Sequence, residues 1–355
     1  MKKENVLFQI CFTLGMVGLL SFQAYAQTAP VSGSANTGTA SNTQTQESGA
    51  LNAPASQTAS DDQKAVGPFD PISARILSDP LFLPLKGQFY GTTAYTFGMW
   101  RGDGFNALSG VKNYYSKDFL STLSQNLAYG ITNNFTVRIE ESYSWENNDS
   151  TLDGSSSESS EKFWSNPTFG ATYRLLDQPA HPVDVDFSAS YTPNFNINGG
   201  YVASGLQMAS LTASIGREMK MFSVQLTGSA QYFGVLKNTS LDEREGQYWL
   251  YNLGFNTQTR LTDRFSVNCG FNYIFPDIQK FHVSDGVSRD VWGSYMSIDT
   301  AFNYQVIPNR LVAAITYSYV PSYGLKIKHS NPGRDNENLN GLYENIVGAR
   351  LQYLF

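Results

Sequence analysis

The sequence predicts an all-β chain: a transmembrane antiparallel up-and-down β-barrel of about twelve strands, preceded by a disordered N-terminal segment. Three observations predict it. Apolar and polar side chains alternate with period two through successive segments of mostly ten to thirteen residues, the connections between segments alternate short and long, and the last segment ends on an aromatic carboxyl terminus. Segments of that length cross a bilayer when tilted, and a two-faced strand puts one face in lipid and the other in the lumen.

The N-terminus sets the compartment. Lys2 and Lys3 precede a mostly apolar stretch from Val6 to Phe22, and Ala24-Tyr25-Ala26 follows as a small-x-small cleavage pattern. Residues 1–26 read as a signal peptide, which makes Gln27 the mature N-terminus. Residues 27–66 are a Ser/Thr/Gln/Ala/Asn tract with almost no large apolar side chains, too few to offset the entropy of ordering. Residues 67–86 gain Phe69, Ile72, Ile76, Leu77, Leu81, Phe82, Leu83 and Leu85 between Pro68, Pro71, Pro80 and Pro84. Four prolines forbid a ladder strand or a long helix, though one helical turn fits Ser73–Ser78. Two readings stay open, a periplasmic linker or a partial plug in the barrel mouth.

Residues 87–355 form the barrel. In Phe222–Tyr232 the residues Phe222, Val224, Leu226, Ala230 and Tyr232 share one face, against Ser223, Gln225, Thr227, Ser229 and Gln231 on the other. A soluble core would want its inner face apolar, so the apolar row faces lipid and the polar row a water-filled interior. The predicted strands are 88–100, 117–130, 135–146, 164–175, 183–193, 206–216, 221–233, 247–261, 264–275, 294–306, 311–320 and 344–355. Short turns at 131–134, 176–182, 217–220, 261–263 and 307–310 alternate with long loops at 101–116, 147–163, 194–205, 234–246, 276–293 and 321–343. That asymmetry is the outer-membrane layout, and it places the protein in the cell outer membrane of a Gram-negative bacterium.

Composition excludes other classes. The chain has 24 basic and 30 acidic residues, and removal of the signal leaves a net −7; together with the lack of a basic stripe this argues against nucleic acid. With 21 Tyr, 23 Phe and only 15% charged residues, apolar faces exist without a second apolar run long enough for a helical span. Cys269 alone survives cleavage, which rules out an internal disulfide and suggests a small packed side chain.

The terminal segment alternates Val347, Ala349, Leu351, Tyr353 and Phe355 with Gly348, Arg350, Gln352 and Leu354. It looks like the signal that outer-membrane proteins present to the barrel assembly machinery, with Leu351, Tyr353 and Phe355 as its core. Ser165-Asn166-Pro167-Thr168-Phe169-Gly170-Ala171-Thr172-Tyr173-Arg174-Leu175 resembles a strand of outer-membrane barrels grouped as the MetA-pathway phenol-degradation family. Asn166-Pro167 departs from the Gly-Asp pair common there. The resemblance implies passive uptake of small or aromatic compounds and names no substrate.

Candidate lumen residues are Arg138, Glu140, Arg174, Asp184, Asp186, Arg260, Asp299 and Arg350, a mixed-sign set suited to ion pairing and weak selectivity. Asp184 and Asp186 point the same way, so one pairs with Arg174 on the neighbouring strand or holds a proton. If Ile131 lies opposite Phe135, then Tyr129 faces Val137, Leu127 faces Ile139, and Gln125 faces Glu141 on the lipid side. Two polar side chains there are costly, and either a bulge turns them inward or the hairpin forms a protomer contact in a homo-oligomer. Lys328-His329-Ser330-Asn331 differs from the His-x-Ser motif of an outer-membrane phospholipase, because adjacent His329 and Ser330 would point to opposite faces of a strand. No metal or cofactor set is visible: His181 and His282 lack partners at ligand spacing, and the acidic run from Asp335 reads as a solvated loop. The functional expectation is an outer-membrane channel or facilitated transporter for small solutes, with a non-conducting structural or assembly barrel as the alternative and a phospholipase-like enzyme behind both.

Overall fold

The computed structural model describes residues 33–34 and 76–355, apart from 107–111, 153–154, 179, 196–206, 220, 235, 239–242, 246, 278, 284–285 and 330–336. The expected signal peptide, nearly all of the tract 27–66 and the start of the Pro-rich segment therefore lie outside the described residues.

Twelve strands form the wall. They are β1 (Phe89–Asn106), β2 (Lys112–Thr132), β3 (Phe135–Leu152), β4 (Thr168–Leu176), β5 (Asp184–Thr192) and β6 (Met208–Glu218). The second half comprises β7 (Phe222–Phe233), β8 (Tyr248–Arg260), β9 (Phe265–Pro276), β10 (Tyr295–Ile307), β11 (Leu311–His329) and β12 (Glu337–Leu354). Each pairs antiparallel with its sequence neighbour, and β12 closes the barrel on β1, from Leu354 opposite Tyr90 to Glu337 opposite Asn106. Closure leaves no unpaired sheet edge, the condition for sheet structure in hydrocarbon.

Outward side chains are apolar and exposed, among them Leu211, Leu226, Leu253, Phe255 and Ile315, while Ser223, Gln225, Gln231, Asn252 and Gln258 are buried on the inside. A surface of that kind is unfavourable in water and neutral in lipid. Aromatic rings gather towards both margins: Tyr143 contacts Trp145 and Trp164 on the long-loop side, and Phe89 contacts Tyr129 near the short turns. Such girdles belong at the membrane interfaces. Cys269 lies on the exposed outer face rather than packed in a core, because its parity on β9 matches Val267 and Phe271.

Four details depart from expectation. Strands β1, β2, β3, β11 and β12 run well past the predicted ends, and Ser155–Trp164 forms a further ribbon against β3. Ladder hydrogen bonds need no apolar side chains, so polar runs such as Asn147–Ser150 stay paired above the membrane, where alternation is lost. Strand β4 begins at Thr168 rather than 164; Pro167 has no N–H for the ladder, and β3 changes partner across Ser165–Pro167. At the β2–β3 turn Phe135 pairs with Thr132, not Ile131, which falls in a register irregularity. His329 is the last residue of β11 rather than a loop residue, while Ser330 lies outside the described residues.

Residues 76–86 lie inside the short-turn end of the barrel. Two tight turns, closed by Asp79 N–H to Ile76 O and Phe82 N–H to Asp79 O, shape the segment; the start of the helical turn expected at Ser73–Ser78 lies outside the described residues. Leu77 and Phe82 pack with Tyr90, Ala128 and Val312 of the wall, and Leu81 and Leu83 are also buried. Phe82–Leu83 makes a two-residue parallel pairing with Gly33–Ser34, despite the flanking prolines.

Candidate functional site: the periplasmic constriction

Short turns mark the periplasmic end of an outer-membrane barrel. At this end the wall reaches inward with long polar side chains that grip the 76–86 segment by its backbone. Asn268 donates to Ser78 O at 2.8 Å, Gln225 to Pro80 O at 3.1 Å, and Gln352 to Leu77 O at 3.4 Å. Gln258 donates to Ser78 Oγ at 2.8 Å. The donors sit on β7, β8, β9 and β12, so the segment spans the mouth rather than lying along one strand. Close approach requires glycine at one point: a Cβ at Gly130 would overlap the carbonyls of Pro84 and Leu85.

Arg174 on β4 anchors the charged part. Its guanidinium is fully buried, with Nε donating to Asp186 Oδ1 at 2.7 Å and Nη2 to Asp186 Oδ2 at 2.8 Å. Nη1 lies 3.2 Å from both Asp184 and Asp177, and Nη2 also donates to Leu81 O at 2.9 Å. Register explains the pairing, since Arg174 lies directly opposite Asp186 and Asp184 shares its face. Both aspartates pair with Arg174, not one of them. Arg260 on β8 makes the second cluster, 2.6 Å from Glu218 and 4.0 Å from Asp79 of the inserted segment.

The remaining predicted lumen residues all face inward but are not drawn together. Arg138 lies over Gly170, where a Cβ would stand 2.7 Å from its Nε; Glu140 is two residues away on the same face. Arg350 donates to Asn303 at 3.2 Å, and Asp299 accepts from Asn272 at 2.8 Å and from Ser297 at 3.3 Å. Neither Arg138 nor Arg350 makes an ion pair among the described residues.

Sequence reasoning missed Asp79 of the inserted segment and, on inward faces of the wall, Glu218, Asp118, Glu146 and Glu344. The last four lie at or beyond predicted strand ends, where parity alone could have found Asp118, Glu146 and Glu344.

On the outer wall Gln125 faces Glu141, and Tyr129 faces Val137, as the register arithmetic predicts. No bulge turns the polar pair inward. Gln125 is satisfied within the wall, accepting from Thr93 and donating to Tyr353, each at 2.5 Å. Glu141 is exposed on that face and has no hydrogen-bond partner among the described residues. Leu351 and Tyr353 point outward, and Phe355 exchanges backbone hydrogen bonds with Phe89. No group of three or more His, Cys, Asp or Glu suited to a metal occurs among the described residues.

No family model matches the chain, and no curated protein matches it either. Solved structures do. An outer membrane channel from Pseudomonas putida F1 superposes with TM-score 0.54 at 12% identity, over 77% of this chain and 97% of that one. The outer membrane protease OmpT from Escherichia coli (TM-score 0.35, 10% identity, 76% and 97% covered) and the CymD monoaromatic hydrocarbon channel (0.34, 11%, 76% and 89%) are more distant. At such identities the likeness is one of fold, that of outer-membrane β-barrels.

Proposed function

We propose that this chain is an outer-membrane channel for passive diffusion of small solutes, closed at rest by residues 76–86 seated in its periplasmic mouth. One observation carries the reading. The mouth is filled by a segment held by side-chain hydrogen bonds to its backbone and by apolar packing, and not through continuous ladder pairing with the wall, so it can leave without breaking the barrel. A permanently solid barrel would need no such separable insert. The resemblance of Ser165–Leu175 makes small aromatic compounds the first solutes to try, and the channel-like neighbour agrees with the fold this role needs.

The test is single-channel conductance of the refolded mature protein in a planar bilayer, beside a variant lacking 67–86. Stepwise openings that become larger or more frequent in the deletion support the proposal. Silence from both proteins, each shown to be folded, would overturn it in favour of a non-conducting structural barrel.

A further inference from the structure

The extracellular half of the lumen carries charge of one sign among the described residues. Arg138, Arg174, Arg260 and Arg350 lie towards the periplasmic end, whereas Asp118, Glu146 and Glu344 project inward nearer the long loops. Trp100 on β1 stands between two of these carboxylates, with Asp118 of β2 directly across from it on one side and Glu344 of β12 on the other. All three face inward and are enclosed, with relative exposures of 3% for Trp100, 5% for Asp118 and 3% for Glu344.

Two independent features single out this row. The indole N–H of Trp100 is buried with no acceptor, a cost that native structures seldom leave unexplained. Asp118 has hydrogen bonds from Ser116 Oγ, at 3.0 Å, and from Asn148 Nδ2, and no ion pair among the described residues. Glu146 stands diagonal to it on β3, on the same inward face. The site thus sets two carboxyl groups, an aromatic surface and an idle donor side by side.

We propose that this row binds organic ammonium solutes that also carry a hydrogen-bond acceptor. The ammonium sits between Asp118 and Glu344 against the Trp100 ring, where carboxylate and π-face both attract it. The indole N–H takes the acceptor. The inference rests on the channel reading and adds a solute class to it: small cationic amines rather than anions.

Calorimetric titration of the refolded full chain in detergent tests this independently of conductance. The probes are phenethylamine, its near-isosteric neutral analogue 2-phenylethanol, and 2-amino-1-phenylethanol, which adds an acceptor. Phenethylamine is expected to bind at least tenfold more tightly than the alcohol, and 2-amino-1-phenylethanol at least as tightly as phenethylamine. Asp118→Asn, which keeps the shape, should weaken both amines about tenfold and leave the alcohol unchanged; Trp100→Leu should weaken all three. Heat-modifiable gel migration confirms that each variant is folded. Equal binding of amine and alcohol, or no binding to the folded wild type, would overturn the site. Amine binding in a barrel that never conducts would sink the channel reading and keep the site; conductance without amine preference would do the reverse.

Discussion

Replacing Arg174 with Met separates two jobs that one guanidinium performs. The side chain is fully buried and neutralises Asp184 and Asp186 at 2.7–3.2 Å, so its loss leaves two buried carboxylates side by side on β5 without their counter-charge. Breaking a buried pair in this way costs about 3–5 kcal/mol. Removing Asp184 and Asp186 as well, by Asn substitution, should recover most of that stability, because the uncompensated charge goes with them. The second job is the 2.9 Å bond from Nη2 to Leu81 O. A hydrogen bond from a charged donor contributes about 1.5–3 kcal/mol, which shifts the ratio of seated to unseated segment roughly tenfold to a hundredfold. Urea unfolding in detergent reads the first effect and channel opening frequency the second. Arg174→Met should lower stability and raise opening frequency, while the triple variant regains stability and keeps the frequent openings. The reasoning fails if Arg174→Met leaves the unfolding midpoint unchanged, or if the triple variant closes as well as the wild type.

Three further outcomes follow from the geometry. Gly130→Ala introduces a methyl group into the space of the Pro84 and Leu85 carbonyls and should raise opening frequency while the barrel keeps its heat-modifiable migration; unchanged gating would show that this stretch tolerates displacement. Glu141 lies on the lipid face with no partner among the described residues, so we propose that a second protomer covers it, and Glu141→Leu should shift light-scattering mass towards monomer. A monomeric wild type whose Glu141→Leu variant gains about 1 kcal/mol, as expected for removing a carboxylate from lipid, would sink that contact. Deleting Phe355 removes two backbone hydrogen bonds with Phe89, about 1–3 kcal/mol in all, yet should reduce outer-membrane insertion in cells far more than refolding in detergent. Equal losses in both assays would mean that the terminal aromatic is structural and not read by the assembly machinery.

The wall was legible because two rules act on every residue of it. Alternation fixes which side chains face lipid, and a short turn fixes register, which is why Gln125 could be set opposite Glu141 without a structure. The same arithmetic tolerated an error at Ile131, since the irregularity there is absorbed before Tyr129. Legibility ended where lipid ends. Asn147–Leu152 and Leu325–His329 continue their ladders above the membrane, but no solvent contrast imprints alternation on them. The inserted segment was ambiguous for another reason: its place is set by Gln225, Gln258, Asn268 and Gln352, all more than 140 residues away in sequence. No local periodicity encodes contacts of that range.

The way the segment is held also decides how it leaves. Its polar contacts are single bonds worth about 0.5–1.5 kcal/mol each, and water can replace them one at a time. Its apolar contacts are the larger barrier. Leu77, Leu81, Phe82 and Leu83 are each almost completely buried, and exposing such a side chain costs about 1.5–3 kcal/mol. Complete release at rest is therefore rare, and losing the Arg174–Leu81 bond alone cannot make it common. The openings that Arg174→Met is expected to add are then brief excursions in which Leu81 and its neighbours shift while Leu77 and Phe82 stay packed against Tyr90 and Val312. A substitution that attacks the apolar anchor, such as Phe82→Ser, should instead lengthen each opening. Opening frequency reports the polar grip and opening duration the buried side chains, so dwell-time histograms of the two variants would assign each contribution to its residues.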